Sequence, residues 1–162
     1  MQGFSALLSK EPNRTPNEVQ HMKVSIKKTA WQQDREALSQ LRHQVFILEQ
    51  GVPEDLEWDE HDEPSTHFLA ISEQGEPVGC VRLLPSGQIS RLCVLEHFRN
   101  LNIGSQLLAA VETEARAQGM KEIFLHAQTQ ATNFYEVAGF TTTGGIFLEA
   151  NIPHRQMFKE LA

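Results

Sequence analysis

Apolar positions recur with two periods along the chain. Residues 22–28, MKVSIKK, alternate apolar and polar, which is the period of a half-buried strand. Beyond them the spacing lengthens. Trp31, Leu38, Leu41, Val45 and Leu48 keep to one face of a helix over residues 31–49, which Gly51-Val52-Pro53 ends. Thr29 or Ala30 stands near its cap. Short apolar runs at 67–72, 78–84 and 89–94 are separated by turn residues and predict a meander. If Pro85-Ser86-Gly87-Gln88 closes a four-residue hairpin, Leu84 pairs with Ile89, Cys80 faces Cys93 and Arg82 faces Arg91. The helical period then returns, with Ile103, Leu107, Leu108, Val111 and Ala115 on one stripe and Gly119 as the stop. Residues 121–127 read as a strand and 128–137 as a short helix broken at Ala138-Gly139-Phe140. Residues 141–149 and 154–159 form a last hairpin. A helix between two central strands, with strands and helices mixed, implies an α/β sheet that is antiparallel early and parallel near its centre.

The length of 162 residues favours a single domain with a proper core, here placed at 22–162. Residues 1–21 lack periodicity and hold Pro12 and Pro16, so they read as a flexible arm; FSALL is too short for a signal peptide. No apolar run approaches membrane-spanning length. A net charge of -7 disfavours a nonspecific nucleic-acid binder and suits a cationic small partner. The two cysteines, Cys80 and Cys93, have no metal-type spacing, and reduced thiols in a cytoplasmic protein are expected.

The most biased stretch is acidic. Eight carboxylates lie between Glu49 and Glu63, and no Lys or Arg occurs between Arg42 and Arg82. This run is either a solvated loop or a rim that attracts an amine. Asp59, His61, Asp62 and His67 match no specific metal spacing, and no metal is expected. Arg82 and Arg91, if they face each other, repel unless an anion sits between them; the acidic run and a carboxylate on a substrate are candidates, and a shifted register or side chains splayed into water is the other reading.

The chemistry concentrates after the strand at 89–94. A polar loop, Arg99-Asn100-Leu101-Asn102-Ile103-Gly104, opens into the helix that Ser105 continues. Free backbone N–H groups and the positive end of the helix dipole make such a junction an anion site. The small side chains at Gly104 and Ser105 let a phosphate approach the backbone. This loop resembles the pyrophosphate loop of the GNAT N-acetyltransferase superfamily, Arg/Gln-x-x-Gly-x-Gly/Ala. Arg99 and Gly104 match, and Asn102 stands where glycine is usual, a mild departure because Asn tolerates a left-handed backbone. The segment HAQTQATNFYEVAGF, residues 126–140, resembles the tail motif of the same superfamily through Ala131, Phe134, Tyr135, Glu136, Gly139 and Phe140. LRHQVFILEQGVP, VRLLP and FLEANIPHRQM look like the ElaA-like branch. LRHQVF and RLLP also look like segments of acyl-homoserine-lactone synthases, which share the fold.

The resemblance implies a mixed, mostly antiparallel sheet with a central, splayed parallel pair at 89–94 and 121–127, flanked by helices. It implies acetyl-CoA as co-substrate. The strand edge at Leu92, Cys93 and Val94 would hold the pantetheine arm, with a backbone N–H near Cys93 or Val94 as oxyanion donor. Arg99, Asn100, Leu101, Asn102, Ile103, Gly104 and Ser105 would hold the pyrophosphate, the Arg99 side chain adding charge. Gln128 stands where many members have an Asn on the cofactor arm, and Asn133 is a nearby alternative. Tyr135 occupies the position of the acid that protonates the leaving thiolate, and packing on the sheet is its alternative role. The acceptor is expected to be a primary amine of a small molecule, attacking directly in a ternary complex. Glu49, Glu60, His67 and His154 are candidates for the base, and a strand histidine satisfied by a neighbour is the other reading of His154. A non-catalytic acyl-CoA-binding sensor and a homoserine-lactone-synthase-like acyltransferase are the alternatives. No membrane partner is expected, and the edge of the C-terminal strand could pair in a homodimer.

Overall fold

The structure, a computed structural model, describes the backbone of Ser5 and Ala6 and residues 23–161. The arm expected over residues 1–21 therefore lies outside the described residues except at those two positions. Eight strands form one sheet: β1 (Ser5–Ala6), β2 (Val24–Ala30), β3 (Thr66–Ser72), β4 (Pro77–Leu83), β5 (Gln88–Val94), β6 (Glu122–Gln128), β7 (Thr141–Glu149) and β8 (Ile152–Glu160). Their order is β2-β3-β4-β5-β6-β8-β7, with β1 added on β5. Every neighbour is antiparallel except β5–β6 and β1–β5. The C-terminal strand β8 lies inside the sheet between β6 and β7, so the edge strand at that end is β7 and the expected dimer edge is not where the sequence put it.

Among the described residues the α-helices are α1 (Trp31–Arg42), α2 (Glu54–Glu57), α3 (Ile103–Ala117) and α4 (Thr132–Val137). Alternation along the strands divides the core between the two faces. Val81, Leu83, Ile89, Leu92 and Val94 pack with Leu107, Leu108 and Val111 of α3. Leu69, Cys80 and Cys93 pack on the other face with Leu38, Leu41, Val45 and Phe46. Leu107 and Leu38 are both fully buried, worth roughly 1.5–3 kcal/mol each.

Two departures from the sequence pattern have local causes. The helix predicted to run to residue 49 changes pitch: His43–Glu49 is π-helical, with Gln50 N–H donating to Val45 O across five residues. The wider turn rotates Leu48 off the apolar stripe, leaving it 61% exposed. The β4–β5 hairpin is tighter than predicted. Leu84 N–H donates to Gln88 O, so the loop is Pro85-Ser86-Gly87. Arg82 consequently faces Ser90, not Arg91. A bulge at Arg91, whose φ is +56°, restores the register so that Cys80 faces Cys93 as predicted. Gly87 is needed at that loop: its φ is +94°, and a Cβ there would come within 2.9 Å of Glu122 O.

Candidate active site

β5 and β6 start paired and then part. Gln88 lies beside Phe124 and Ile89 beside Leu125, and the register goes no further. Past these residues the sheet opens, and α3 begins at the far end of β5. Between Val94 and α3 the chain makes a 3₁₀ turn, Glu96–Phe98, and passes through two left-handed residues, Asn100 (φ +62°) and Asn102 (φ +66°). Asn102 is the N-cap residue of α3 and makes no side-chain cap bond, so it leaves the first-turn amides uncapped.

Val94, Arg99, Asn100, Asn102, Ile103, Gly104 and Ser105 line one cavity of about 410 Å³, with Phe98 and Phe134. Seven of the predicted cofactor residues thus converge on it. Leu101 packs against the core beside the cavity. Leu92 and Cys93 are buried, one on each face of the sheet, so what they offer is backbone. Beside that backbone runs β1, with Ser5 next to Leu92 and Ala6 next to Cys93 in parallel register. Gln128 is buried against Gln50 (3.1 Å) and Gln130 (2.8 Å), and Asn133 is exposed on α4; neither lines the cavity. The uncapped amides, the dipole of a 15-residue helix and the small residues at 104 and 105 fit a pyrophosphate.

Arg99 is 2% exposed, and its guanidinium is engaged within the protein. Nη1 and Nη2 donate to the two Glu49 oxygens at 2.6 and 2.8 Å, and Nε donates to Val94 O at 2.8 Å. The side chain therefore ties the loop to β5 and the π segment, where the sequence had it facing an anion. The same pair occupies Glu49 as a base. Glu60 stays in water, its side chain 89% exposed. His67 is buried with Nε2 2.8 Å from Asp62 O, and burial first of all lowers its pKa below the usual 6.5.

Much of the acidic run turns inward. Glu57 and Asp62 are buried. Arg42 donates to Glu57 and Asp62, both at 2.6 Å. Arg82 donates to Asp59 (2.7 Å), Asp62 (3.0 Å) and Ser90 (2.9 Å). Arg91 lies 3.1 Å from Glu57 and 3.3 Å from Asp59. Three carboxylates thus neutralise three buried arginines, so the acidic run is the anion between Arg82 and Arg91. For those three, neither the solvated loop nor the amine-attracting rim holds. The same bonds occupy Asp59 and Asp62, two of the four residues weighed as metal ligands, and the described residues hold no cluster of three or more ligand-type side chains. Cys80 and Cys93 are free thiols 3.5 Å apart, and the hydrogen bond between them together with burial pushes the Cys93 thiol well up, away from nucleophilic use.

Tyr135 is 2% exposed on α4, its ring edge-on to Phe134 (5.0 Å) and Phe140 (6.0 Å). On the opposite face of the sheet lies a group that the sequence reading reached only through His154. His126 Nδ1 donates to Glu149 Oε1 at 3.1 Å, and His154 Nε2 stands 4.0 Å from Glu149 Oε2. His126 and Glu149 went unnamed because nothing local marks them. They are 23 residues apart and meet only because β8 sits between β6 and β7.

A family model described as an acetyltransferase (GNAT) domain matches residues 13–161, beginning within the stretch read from sequence as an arm. The "Uncharacterized N-acetyltransferase YjcF" of Bacillus subtilis is 36% identical over 124 residues, 74% of this chain and 88% of that protein. Among solved structures, Escherichia coli ElaA superposes with a TM-score of 0.76 at 28% identity, over 85% of this chain and 100% of that one. An acyl-CoA N-acyltransferase from Pseudomonas aeruginosa gives a TM-score of 0.76 at 26% identity, over 85% and 99%.

Proposed function

Since the chain belongs to the GNAT acetyltransferase family, with ElaA among its homologues, we propose that it is an acetyl-CoA-dependent N-acetyltransferase acting on a primary amine of a small molecule. The observation that carries this reading is the opening between β5 and β6 beside the uncapped start of α3. Acetyl-CoA supplies the activated acetyl thioester. The loop from Arg99 to Ser105 holds the pyrophosphate on its amides, and Arg99 keeps that loop in place through Glu49 and Val94. The backbone of β5 past Ile89, free of β6, pairs with the peptide-like arm once β1 yields the positions beside Leu92 and Cys93. A backbone N–H near Cys93 or Val94 polarises the thioester carbonyl. The amine attacks directly, and Tyr135 gives the departing thiolate its proton.

A non-catalytic acyl-CoA-binding module is the second reading, favoured by the burial of Tyr135 among aromatic rings. Amine-dependent release of CoA from acetyl-CoA separates the two. The enzyme reading expects release with at least one primary amine and a fall of about 10²-fold or more in kcat for Tyr135→Phe. Acetyl-CoA binding without release, for any amine, favours the module.

A further inference from the structure

His126 follows directly on Leu125, the last β6 residue in register with β5, so it stands at the point where the sheet opens. Ile123, Leu125 and Ala127 face the α3 core. Strand alternation therefore puts Phe124, His126 and Gln128 on the other face. The ladder sets Gln156 beside His126, His154 beside Gln128, and Phe147 of β7 beside His154. Glu149, two residues on from Phe147, shares that face and reaches both histidines.

The protonation of His154 follows from its partners. Its Nδ1 lies 2.6 Å from Ile152 O, and only a donor can bond a carbonyl, so Nδ1 carries the hydrogen. Neutral His154 then presents a bare lone pair at Nε2. That atom is fully buried and has no hydrogen-bond partner. It faces Glu149 Oε2 at 4.0 Å, a second acceptor. His154 Nε2 is thus a buried acceptor, placed beside a carboxylate at a distance too long for a hydrogen bond, that a proton would satisfy. The Phe147 ring is stacked with His154 (6.0 Å) and edge-on to His126 (5.1 Å), which keeps the pair dry. Among the described residues, the other side chains at the cluster, Gln128, Gln156 and Gln50, are neutral. Arg155 faces away, beside Ala127 in the ladder, and donates to Gly144 O.

We propose that Glu149, flanked by His126 and His154, is the group that receives the acceptor ammonium and removes its proton. This rests on the N-acetyltransferase reading above. Glu149 and His126 keep 11% and 20% side-chain exposure and His154 none, so the amine meets the first two and His154 stands behind them. The ammonium N–H bonds to Glu149. Its proton passes to the carboxylate and on to His154 Nε2, which then pairs with Glu149 as an imidazolium. The freed nitrogen lone pair forms the C–N bond as the C–S bond breaks. The nitrogen sheds its second proton as the amide forms, Tyr135 protonates the leaving thiolate and regains a proton from solvent, and the stored proton returns to solvent through Glu149. Glu149 is a catalytic residue in this scheme and His154 a positioning one.

The test uses the full chain and its Glu149→Gln and His154→Gln variants, with acetyl-CoA and four probe amines: n-butylamine, benzylamine, ethanolamine and 1,4-diaminobutane. The readouts are kcat/KM for the amine against pH and KM for acetyl-CoA. At neutral pH Glu149→Gln should lose about 10²–10⁴-fold in kcat/KM while KM for acetyl-CoA holds. The deficit should shrink as pH approaches the amine's own pKa, about 10.4 for a simple alkylamine and lower for benzylamine and ethanolamine, where the amine is already neutral. His154→Gln should lose less and lack the acid limb of the profile. A misfolded variant would not recover in alkali. Wild-type rates in both variants, or an equal loss at every pH, would overturn the proposal and leave the acetyltransferase reading intact. Acetyl-CoA binding with none of the four amines turned over by the wild type would overturn both.

Discussion

Among the described residues, His67 and His154 are the most completely buried imidazoles, at 1% and 0% exposure. For both, burial is the main cause of a pKa below the usual 6.5, and the backbone carbonyls and carboxylates around them do not offset it. A folded-state pKa below the unfolded one means that the native state resists protonation where the unfolded chain accepts it. Stability is therefore full above about pH 6.5 and falls as pH drops through the folded values of the two histidines. Asp59 adds a later stage. Burial would raise its pKa, but Arg82 and Arg91 outweigh burial and hold it below the usual carboxylate value. Its contribution persists below pH 6.5 and goes only in stronger acid. Melting temperature followed against pH should fall in two stages, and His67→Gln should flatten the first; an unchanged slope in that variant would contradict the argument. At this scale the sequence was informative where chemistry is local. Asn102 was expected to tolerate a left-handed backbone, and it does. The partner of Arg99 is Glu49, 50 residues earlier, and no local pattern announces such a pairing.

The element read most clearly was α3. Its predicted stripe of Ile103, Leu107, Leu108, Val111 and Ala115 is its buried face, because the helix lies on the sheet along its whole length. Contact is close at Gly79 on β4, where a Cβ would sit 2.9 Å from Cys93 O and 3.2 Å from the Leu107 side chain. Backbone cannot yield there as a flexible side chain can. Gly79→Ala should cost about 1–3 kcal/mol, read as a lower urea midpoint with an unchanged slope. Full stability in that variant would mean that β5 and α3 can move apart freely. Pitch and register were less legible. The π turn at His43–Glu49 keeps a helix-like apolar pattern until Leu48, and one residue fewer in the Pro85-Ser86-Gly87 loop was enough to move Arg82 from Arg91 to Ser90. The two arginines are neutralised instead by a short helix and loop, Glu57 to Asp62, whose charge had suggested a surface.

Over the whole molecule, a seven-strand path is interrupted at one place, between β5 and β6, and α3, the Arg99–Ser105 loop and α4 gather around that opening. The family match spans nearly all of the chain, so the sheet, its opening and the loop belong to one shared architecture. The loop was visible in the sequence because its residues are contiguous. The His126–Glu149–His154 group was visible only in part because the strand order assembles it. The most direct measurement is calorimetric titration of the full chain with acetyl-CoA, with thermal stabilisation followed in parallel. The account predicts saturable binding at one site per chain, with a melting temperature that keeps rising with ligand concentration. No heat and no stabilisation at millimolar acetyl-CoA would contradict the assignment of the opening as an acyl-CoA site.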